Sequence, residues 1–407
     1  MFGADFYRDP YPVYSGLRAA GDMHFSEAFG GRGTWLVPRY EGAARVFNDP
    51  GLSAVRSHRF FDQYSPQVRQ ELEEFARVFK QWVVFLDPPD HGVWRKVMMA
   101  GFAAHRVRRM QADVERAVDA LLDDAEGAGT FDFIGKFAYL LPILVVAAVM
   151  GVDARETPRF LAWAEDIASF FGNPGAPAAA ARKAQEAVLA LHAHFRGLVA
   201  QRIAEPRDDA VTLMVQALQA LPMDEEARHA CIHDVLPAQC AGLLFAGHET
   251  TSNLIGNAMH ALFRHPQQLE DFVARPELGP QVVREAIRYD TSAQFSSRLV
   301  EQAFEFCAVR LEPGQIVIAL TGSANRDERV FSQPQEFRIG RTGEPQPLTF
   351  GNGRHYCLGS HLAILEMELA LRKLVTRFPR LQPLSQELEW TANFNFRGLR
   401  SMQVRIN

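Results

Sequence analysis

The stretch Phe350-Gly351-Asn352-Gly353-Arg354-His355-Tyr356-Cys357-Leu358-Gly359 places one cysteine in a glycine-rich loop that runs straight into an apolar, periodic segment. Gly351, Gly353 and Gly359 admit backbone conformations that a side chain forbids, so the loop can fold tightly and approach a flat partner closely. Leu358, Leu362, Leu365 and Leu369 recur at helical spacing, which sets Cys357 just before a helix N-terminus whose free N–H groups point toward it. Such donors lower a thiolate's pKa and temper the charge it places on a metal. Phe350 is placed to pack near the sulfur. A lone cysteine has a second reading, as a small buried core residue with no chemistry of its own. Taken by itself, the loop admits both.

The rest of the chain narrows the choice. A sequence of 407 residues with 47% hydrophobic content can bury a sizeable core. Its net charge of −5 shows no overall basic character, which argues against nucleic acid and against an anionic membrane surface. The four cysteines, Cys231, Cys240, Cys307 and Cys357, lie far apart with no C-x-x-C pair. That spacing argues against a zinc site or a disulfide framework and for a reducing compartment. The start, Met1 to Pro10, has no basic region followed by an apolar run, so no export signal is expected and the expected location is the cytoplasm. The longest apolar run, Phe137 to Val152, is shorter than a membrane span needs and carries Pro142 in its first part, as a buried core helix tolerates.

Helical periodicity dominates from Ser65 to Phe79, Val107 to Ala125, Ala178 to Ile203 and Ala238 to Phe263. Extended segments cluster at Thr34 to Val37, Phe304 to Ala308 and Ile316 to Leu320, so the expected fold is mainly α with small β-sheets. A Pro313-Gly314 turn between the last two predicts a hairpin, and Asn173 to Ala180 predicts a flexible link between two helices. No internal repeat divides the chain.

Three further segments carry polarity that needs a reason. Leu243-Leu244-Phe245-Ala246-Gly247-His248-Glu249-Thr250-Thr251 sets a small-residue pair and an acid–hydroxyl pair inside an apolar helix. Ala246 and Gly247 remove bulk from one face, and Thr250 can loosen the helical ladder by competing for a carbonyl. Pro237, nine positions before Ala246, predicts either a kink or a later start capped by Asp234. Glu285 and Arg288 stand one helical turn apart in an E-x-x-R, a spacing common among exposed ion pairs of little energetic weight. Asp87-Pro88-Pro89-Asp90-His91-Gly92-Val93-Trp94-Arg95 sets a histidine and an arginine four residues apart.

Together the D-P-P-[DE]-H-x-x-x-R, A-G-x-[DE]-T, E-x-x-R and F-x-x-G-x-H-x-C-x-G segments, in this order from Asp87 to Gly359, resemble the cytochrome P-450 family. The resemblance implies one domain over residues 1–407, with haem b buried between a long distal helix and the helix after the cysteine loop. It implies Cys357 as the axial iron ligand, with Phe350 and Gly359 shaping its loop. Ala246 would flank the haem on the distal side, Glu249 and Thr250 would deliver protons during dioxygen activation, and Glu285 and Arg288 would be a buried structural pair. The pair's usual third partner, an arginine just before a phenylalanine, is not evident, because Glu336 precedes Phe337.

Haem propionates need cationic or hydrogen-bonding partners, and His91, Arg95, Arg298 and His355 stand at the family's positions for them. Pocket walls are expected to include Phe85, Leu243, Phe245, Phe295 and Phe394, with Phe60, Phe61, Trp82, Phe170, Phe171 and Phe396 in the same segments. Aromatic residues at such positions are also frequent in plain core. The implied activity is a monooxygenase that hydroxylates a hydrophobic or aromatic small molecule, in secondary metabolism, with dioxygen and two electrons from a separate donor. Oxidative coupling, desaturation or a peroxide-driven reaction is the alternative within the family, and a non-catalytic haem sensor the alternative outside it. Arg95, Lys96, Arg106, Arg108, Arg109 and Arg354 form a basic group suited to an acidic ferredoxin or flavodoxin-type donor with its reductase. No nucleic acid and no membrane is expected as a partner.

Overall fold

The computed structural model describes residues 3–27, 32–173, 175–385 and 387–406. Its contacts gather into two compact units, one of residues 1–52, 112–142 and 249–407, the other of residues 53–111 and 143–248.

The first unit holds the sheets and the cysteine loop. In its five-stranded sheet, His24–Ser26 pairs antiparallel with Thr34–Val37, which pairs parallel with Ile316–Ala319, and Ser296–Val300 follows antiparallel. Strand periodicity explains the two clusters on this sheet. Val37, Val317 and Ala319 point into one, with Phe47, Phe306 and Leu348, while Leu36, Ile318 and Leu320 point into the other, with Phe6, Tyr11, Tyr14 and Phe394. The Gly279–Tyr289 helix packs against the Ser360–Arg377 helix that follows Cys357.

The second unit is helical. Its long helices Thr157–Phe171 and Ala178–Ala204 pack along each other, and Ala178–Ala204 also lies on Glu73–Phe79. Asp90–Phe102 packs on Ala210–Gln219, where Gly101 lets the backbone at Ala210 approach so closely that an added Cβ would lie 2.8 Å from Ala210 Cβ. Asp209 caps that second helix by accepting from Thr212 N–H at 2.8 Å.

Several expectations are corrected. The Ser65–Phe79 periodicity is two helices, Pro66–Glu71 and Glu73–Phe79, and Val107–Ala125 divides between Ala104–Arg109 and Gln111–Glu126. The hairpin joins Phe304–Phe306 to Val309–Leu311, and its turn is Cys307-Ala308, both at positive φ. Pro313-Gly314 instead makes a turn in which Gly314 N–H donates to the Val300 carbonyl. Pro237 does not follow an Asp234 cap, and helix continues on both sides of it. A π-turn over Cys231–Val235 joins directly to the Leu236–Arg264 helix, absorbing the missing N–H. Asp234 turns its side chain outward to Arg77 at 2.7 Å and Gln81 at 2.9 Å. The predicted link between helices falls between Phe171 and Ala178, and its Pro174 lies outside the described residues. By length and composition, Glu225–Arg264 could cross a membrane, but half of its apolar window is buried, as in a core helix.

Candidate functional site

The cysteine loop is shaped by hydrogen bonds on every side. Gly351 and Gly353 take φ of +73° and +67°, and any side chain on Gly353 would overlap the Asn48 amide. Tyr356 N–H donates to the Gly353 carbonyl at 3.0 Å, and Cys357 N–H donates to the Phe350 carbonyl at 2.9 Å. The loop therefore closes with the thiol exposed, three residues before the Ser360–Arg377 helix begins at its Gly359 cap. Upstream, Asn325 Oδ1 accepts from Leu348 N–H at 2.7 Å, and Thr349 Oγ1 donates to the Ile287 carbonyl at 2.5 Å. The loop thus hangs from the helix that carries Glu285 and Arg288.

That pair is almost wholly buried, joined by bonds of 2.7 and 2.8 Å. Arg288 also donates to the carbonyls of Asn325, Pro334 and Glu336 at 3.0 to 3.1 Å. The third partner missing from the sequence reading is Arg341, whose Nε reaches Glu285 Oε1 at 3.0 Å. It follows Phe337 by four residues instead of preceding it, and the turn at Gly340 brings it back. Glu285 accepts as well from Arg338 N–H at 2.8 Å.

In the Leu236–Arg264 helix, Leu243, Ala246, Gly247 and Thr250 form one face, spaced by a helical turn. Leu244, Phe245 and His248 are buried, whereas Ala246, deep in an apolar helix, is exposed. A Cβ on Gly247 would sit 3.2 Å from Val146 Cγ2, a tight contact that glycine avoids. Glu249, half-buried, accepts from Asn253 Nδ2 at 3.1 Å, which orients its carboxylate along the helix.

The candidate anion partners are distributed over both units. Arg298 is buried on its strand, donating to the Ser297 carbonyl at 2.8 Å with its guanidinium 5.6 Å from the Phe47 ring centre. His355 is half-buried in the cysteine loop. In the other unit, His91 is buried on the Asp90–Phe102 helix, and Arg95 follows on the same face, half-buried, with no carboxylate partner among the described residues. A half-buried cation without a counter-ion fits an anionic group such as a propionate. Of the basic group, Arg106 is engaged with Asp208 at 2.5 Å, while Lys96, Arg108, Arg109 and Arg354 are exposed.

The aromatic residues separate into two sets. Phe60, Phe61, Trp82, Phe85, Phe170, Phe171 and Phe245 join Phe75 and Phe79 in one continuous cluster. Phe79 is its centre, 4.7 Å from Phe85 and 4.9 Å from Trp82 between ring centres. Phe295 and Phe394, 4.9 Å apart, belong to the other unit, where Phe394 stacks on Phe6 at 5.9 Å. Phe396 pairs with Ala293 there through an isolated bridge.

The cytochrome P450 family model matches residues 10–274 and 268–396. The chain belongs to the cytochrome P-450 family. The biotin biosynthesis cytochrome P-450 of Bacillus subtilis is 30% identical, over 98% of this chain and 97% of that protein. Cytochrome P-450 107B1 of Saccharopolyspora erythraea is 32% identical, over 99% and 96%. Among solved structures, P-450BioI in complex with an acyl carrier protein ligated to hexadec-9Z-enoic acid aligns with a TM-score of 0.90 at 27% identity, covering 99% of each chain. This P-450 is a haem-thiolate monooxygenase, and its cofactor is haem b.

Proposed function

We propose that this P-450 hydroxylates a hydrophobic, aromatic small molecule in a biosynthetic route, with Cys357 as the iron ligand. The observation that supports the substrate class is the ring cluster, which reaches the Leu236–Arg264 helix at Phe245 and makes that part of the unit aromatic. Haem ligated by thiolate supplies the oxidising chemistry, because electron donation from sulfur favours O–O cleavage. The remaining roles belong to side chains. Phe350 and Gly359 hold the loop that presents Cys357. His91, Arg95, Arg298 and His355 hold the propionates. Ala246, with Gly247, keeps the distal face open, and Leu243, Phe85 and Phe245 bound the substrate; Phe295 and Phe394 are the pocket candidates of the other unit.

Thr250 Oγ1 and the Glu249 carboxylate pass protons to that open face. Thr250→Ala is expected to leave haem content and substrate binding nearly unchanged while product formed per electron falls severalfold and peroxide rises. Unchanged coupling would remove Thr250 from the proton route. Electrons come from a ferredoxin or flavodoxin-type donor with its reductase, docked on Arg108, Arg109, Lys96 and Arg354. Four cysteines far apart in sequence, with no C-x-x-C pair, suit the cytoplasm. The direct experiment is a spin-shift screen of aromatic and aliphatic compounds, followed by turnover with a surrogate ferredoxin and reductase. Preferential shifts and hydroxylated products from aromatics support the proposal. Coupled or desaturated products would replace hydroxylation, and turnover only of an acyl chain tethered to a carrier protein would replace the substrate class.

A further inference from the structure

The cysteine loop contains Asn352-Gly353, the one Asn-Gly step in the 407-residue sequence. Asn352 is half-buried and Gly353 exposed, in extended backbone (Asn352 φ −150°, ψ 157°) that leads into the short turn Gly353–His355. Gly353 N–H donates to no backbone carbonyl among the described residues. It donates instead to Oδ1 of Asn352, at 2.8 Å. A backbone N–H tied into a helix or sheet ladder is kept away from side-chain chemistry, whereas this one is held against the carbonyl of the preceding side chain.

Two groups held together by a short covalent tether react far faster than the same groups free in solution, because the entropy of bringing them together is already lost. Here Gly353 N is the nucleophile and Asn352 Cγ the electrophile. Glycine has no Cβ to hinder the approach. The fold also permits no side chain that would supply such hindrance, since any Cβ at 353 would overlap the Asn48 amide. The glycine that lets the loop close therefore keeps the least hindered nucleophile beside the amide.

We infer that Asn352 is a site of spontaneous deamidation, and that its isoaspartyl product withdraws Cys357 from the iron. The second half rests on the reading that Cys357 is the ligand. Gly353 N gives its proton to hydroxide and bonds to Cγ, the Cγ–Nδ2 bond breaks, and ammonia leaves, so a cyclic imide joins the two residues. Water then opens the imide. Cleavage of its bond to Cγ gives aspartate, and cleavage of its bond to the main-chain carbonyl carbon gives isoaspartate, whose backbone runs through Cγ and is one methylene longer. No oxidant or reductant takes part. The extra methylene enters between Phe350 and Cys357, whose closing hydrogen bond is 2.9 Å long, and next to the Gly353 carbonyl that accepts from Tyr356 N–H at 3.0 Å. A closed turn lengthened by one backbone atom cannot keep both bonds, so the sulfur moves.

The test ages the holoenzyme at pH 8.5 and follows the peptide that carries residue 352 by mass spectrometry. That peptide should gain about 1 Da before any other asparagine-containing peptide does, and should take up one 18O when the water is labelled. The red-shifted band of the reduced carbon monoxide complex should decline in step with the isoaspartate share and be lost at full conversion. Asn352→Gln, whose longer side chain closes an imide reluctantly, should keep its mass and its band through the same ageing. Asn352→Asp, which adds the charge without the methylene, should show the full band when fresh. An Asn352 still intact after other asparagines have converted would overturn the site. Isoaspartate at 352 in protein that keeps the band, or equal band loss in aged Asn352→Gln, would overturn the link to the iron. Fresh wild-type protein without the red-shifted band would instead break the ligand reading, and the mass measurement would then decide the deamidation site by itself.

Discussion

The two units bury different things. Around the cysteine loop, charge is buried in closed sets: Glu285 with Arg288 and Arg341, Asp290 with Arg397 at 2.7 Å and Tyr11 at 2.7 Å, Asp327 with Arg39 at 2.9 Å. The other unit also buries an ion pair, Arg202 with Asp209, but its centre is a run of rings around Phe79. Directional bonds fix atoms closely, and packed rings tolerate exchange of shape. The difference matches the tasks proposed for them: a metal ligand must stay at one distance, whereas a substrate wall must accept a molecule and release it.

The largest expected effect comes from opening a closed set. Arg288→Ala leaves Glu285 buried with reduced compensation and frees the carbonyls of Asn325, Pro334 and Glu336, so a loss of about 3 to 5 kcal/mol is expected, with little haem-loaded protein recovered. Thermal unfolding and haem-to-protein ratio check it; wild-type values would deny that bonding, not packing, holds this unit. Next comes the ring unit. Phe79→Ala is expected to cost about 3 to 4 kcal/mol, yet Phe79→Leu under about 1.5, because volume matters there more than identity. Equal losses for the two would mean that the cluster is as specific as the ion-pair sets.

Both sides of this contrast were unequally legible in the sequence. The cysteine loop and the Ala246–Thr250 face could be read directly, because their chemistry lies within ten consecutive residues whose glycines and small side chains have a local reason. Arg341 could not, since it lies 56 positions after Glu285 and its approach depends on a turn at Gly340. The π-turn before Pro237 was missed because propensity offers only a break or a cap for a proline, while the tertiary anchors of Asp234 and His192 make a third solution available. The aromatic segments were recognised, but their division was not: periodicity cannot tell that Phe295 and Phe394 join Phe6 and Tyr14 while Phe171 and Phe245 join Phe79. Likewise, Gln239 looked like any polar residue in a helix until its amide was seen to hold residues 81 and 83.

The smallest effect sharpens the exception in the bonded unit. Glu366 is buried on the helix after the cysteine, its Oε2 lacks a partner, and burial holds its carboxyl well above the usual carboxylate range. The unfolded chain gives up this proton near pH 4.5 while the folded chain keeps it. Stability from this group is therefore complete below that pH and declines as pH rises, until the folded carboxyl ionises. Glu366→Gln, which keeps the shape and removes the acid, is expected to flatten that slope and stabilise the protein at pH 7 by about 1 to 3 kcal/mol. Denaturant melts at pH 5 and pH 8 check it, and an unchanged slope would mean that the carboxyl is not held neutral.

The central claim is that Cys357, carried by the Gly351–Gly353 loop and fixed through Thr349 and Asn325, is the thiolate ligand of this P-450. The absorption spectrum of the reduced, carbon monoxide-bound protein tests it most directly, compared between wild type and Cys357→Ser. The account predicts the red-shifted Soret band of thiolate ligation in the wild type and its complete loss in the variant, with Cys231→Ser, Cys240→Ser and Cys307→Ser retaining it. A Cys357→Ser protein that kept the red-shifted band would contradict the account.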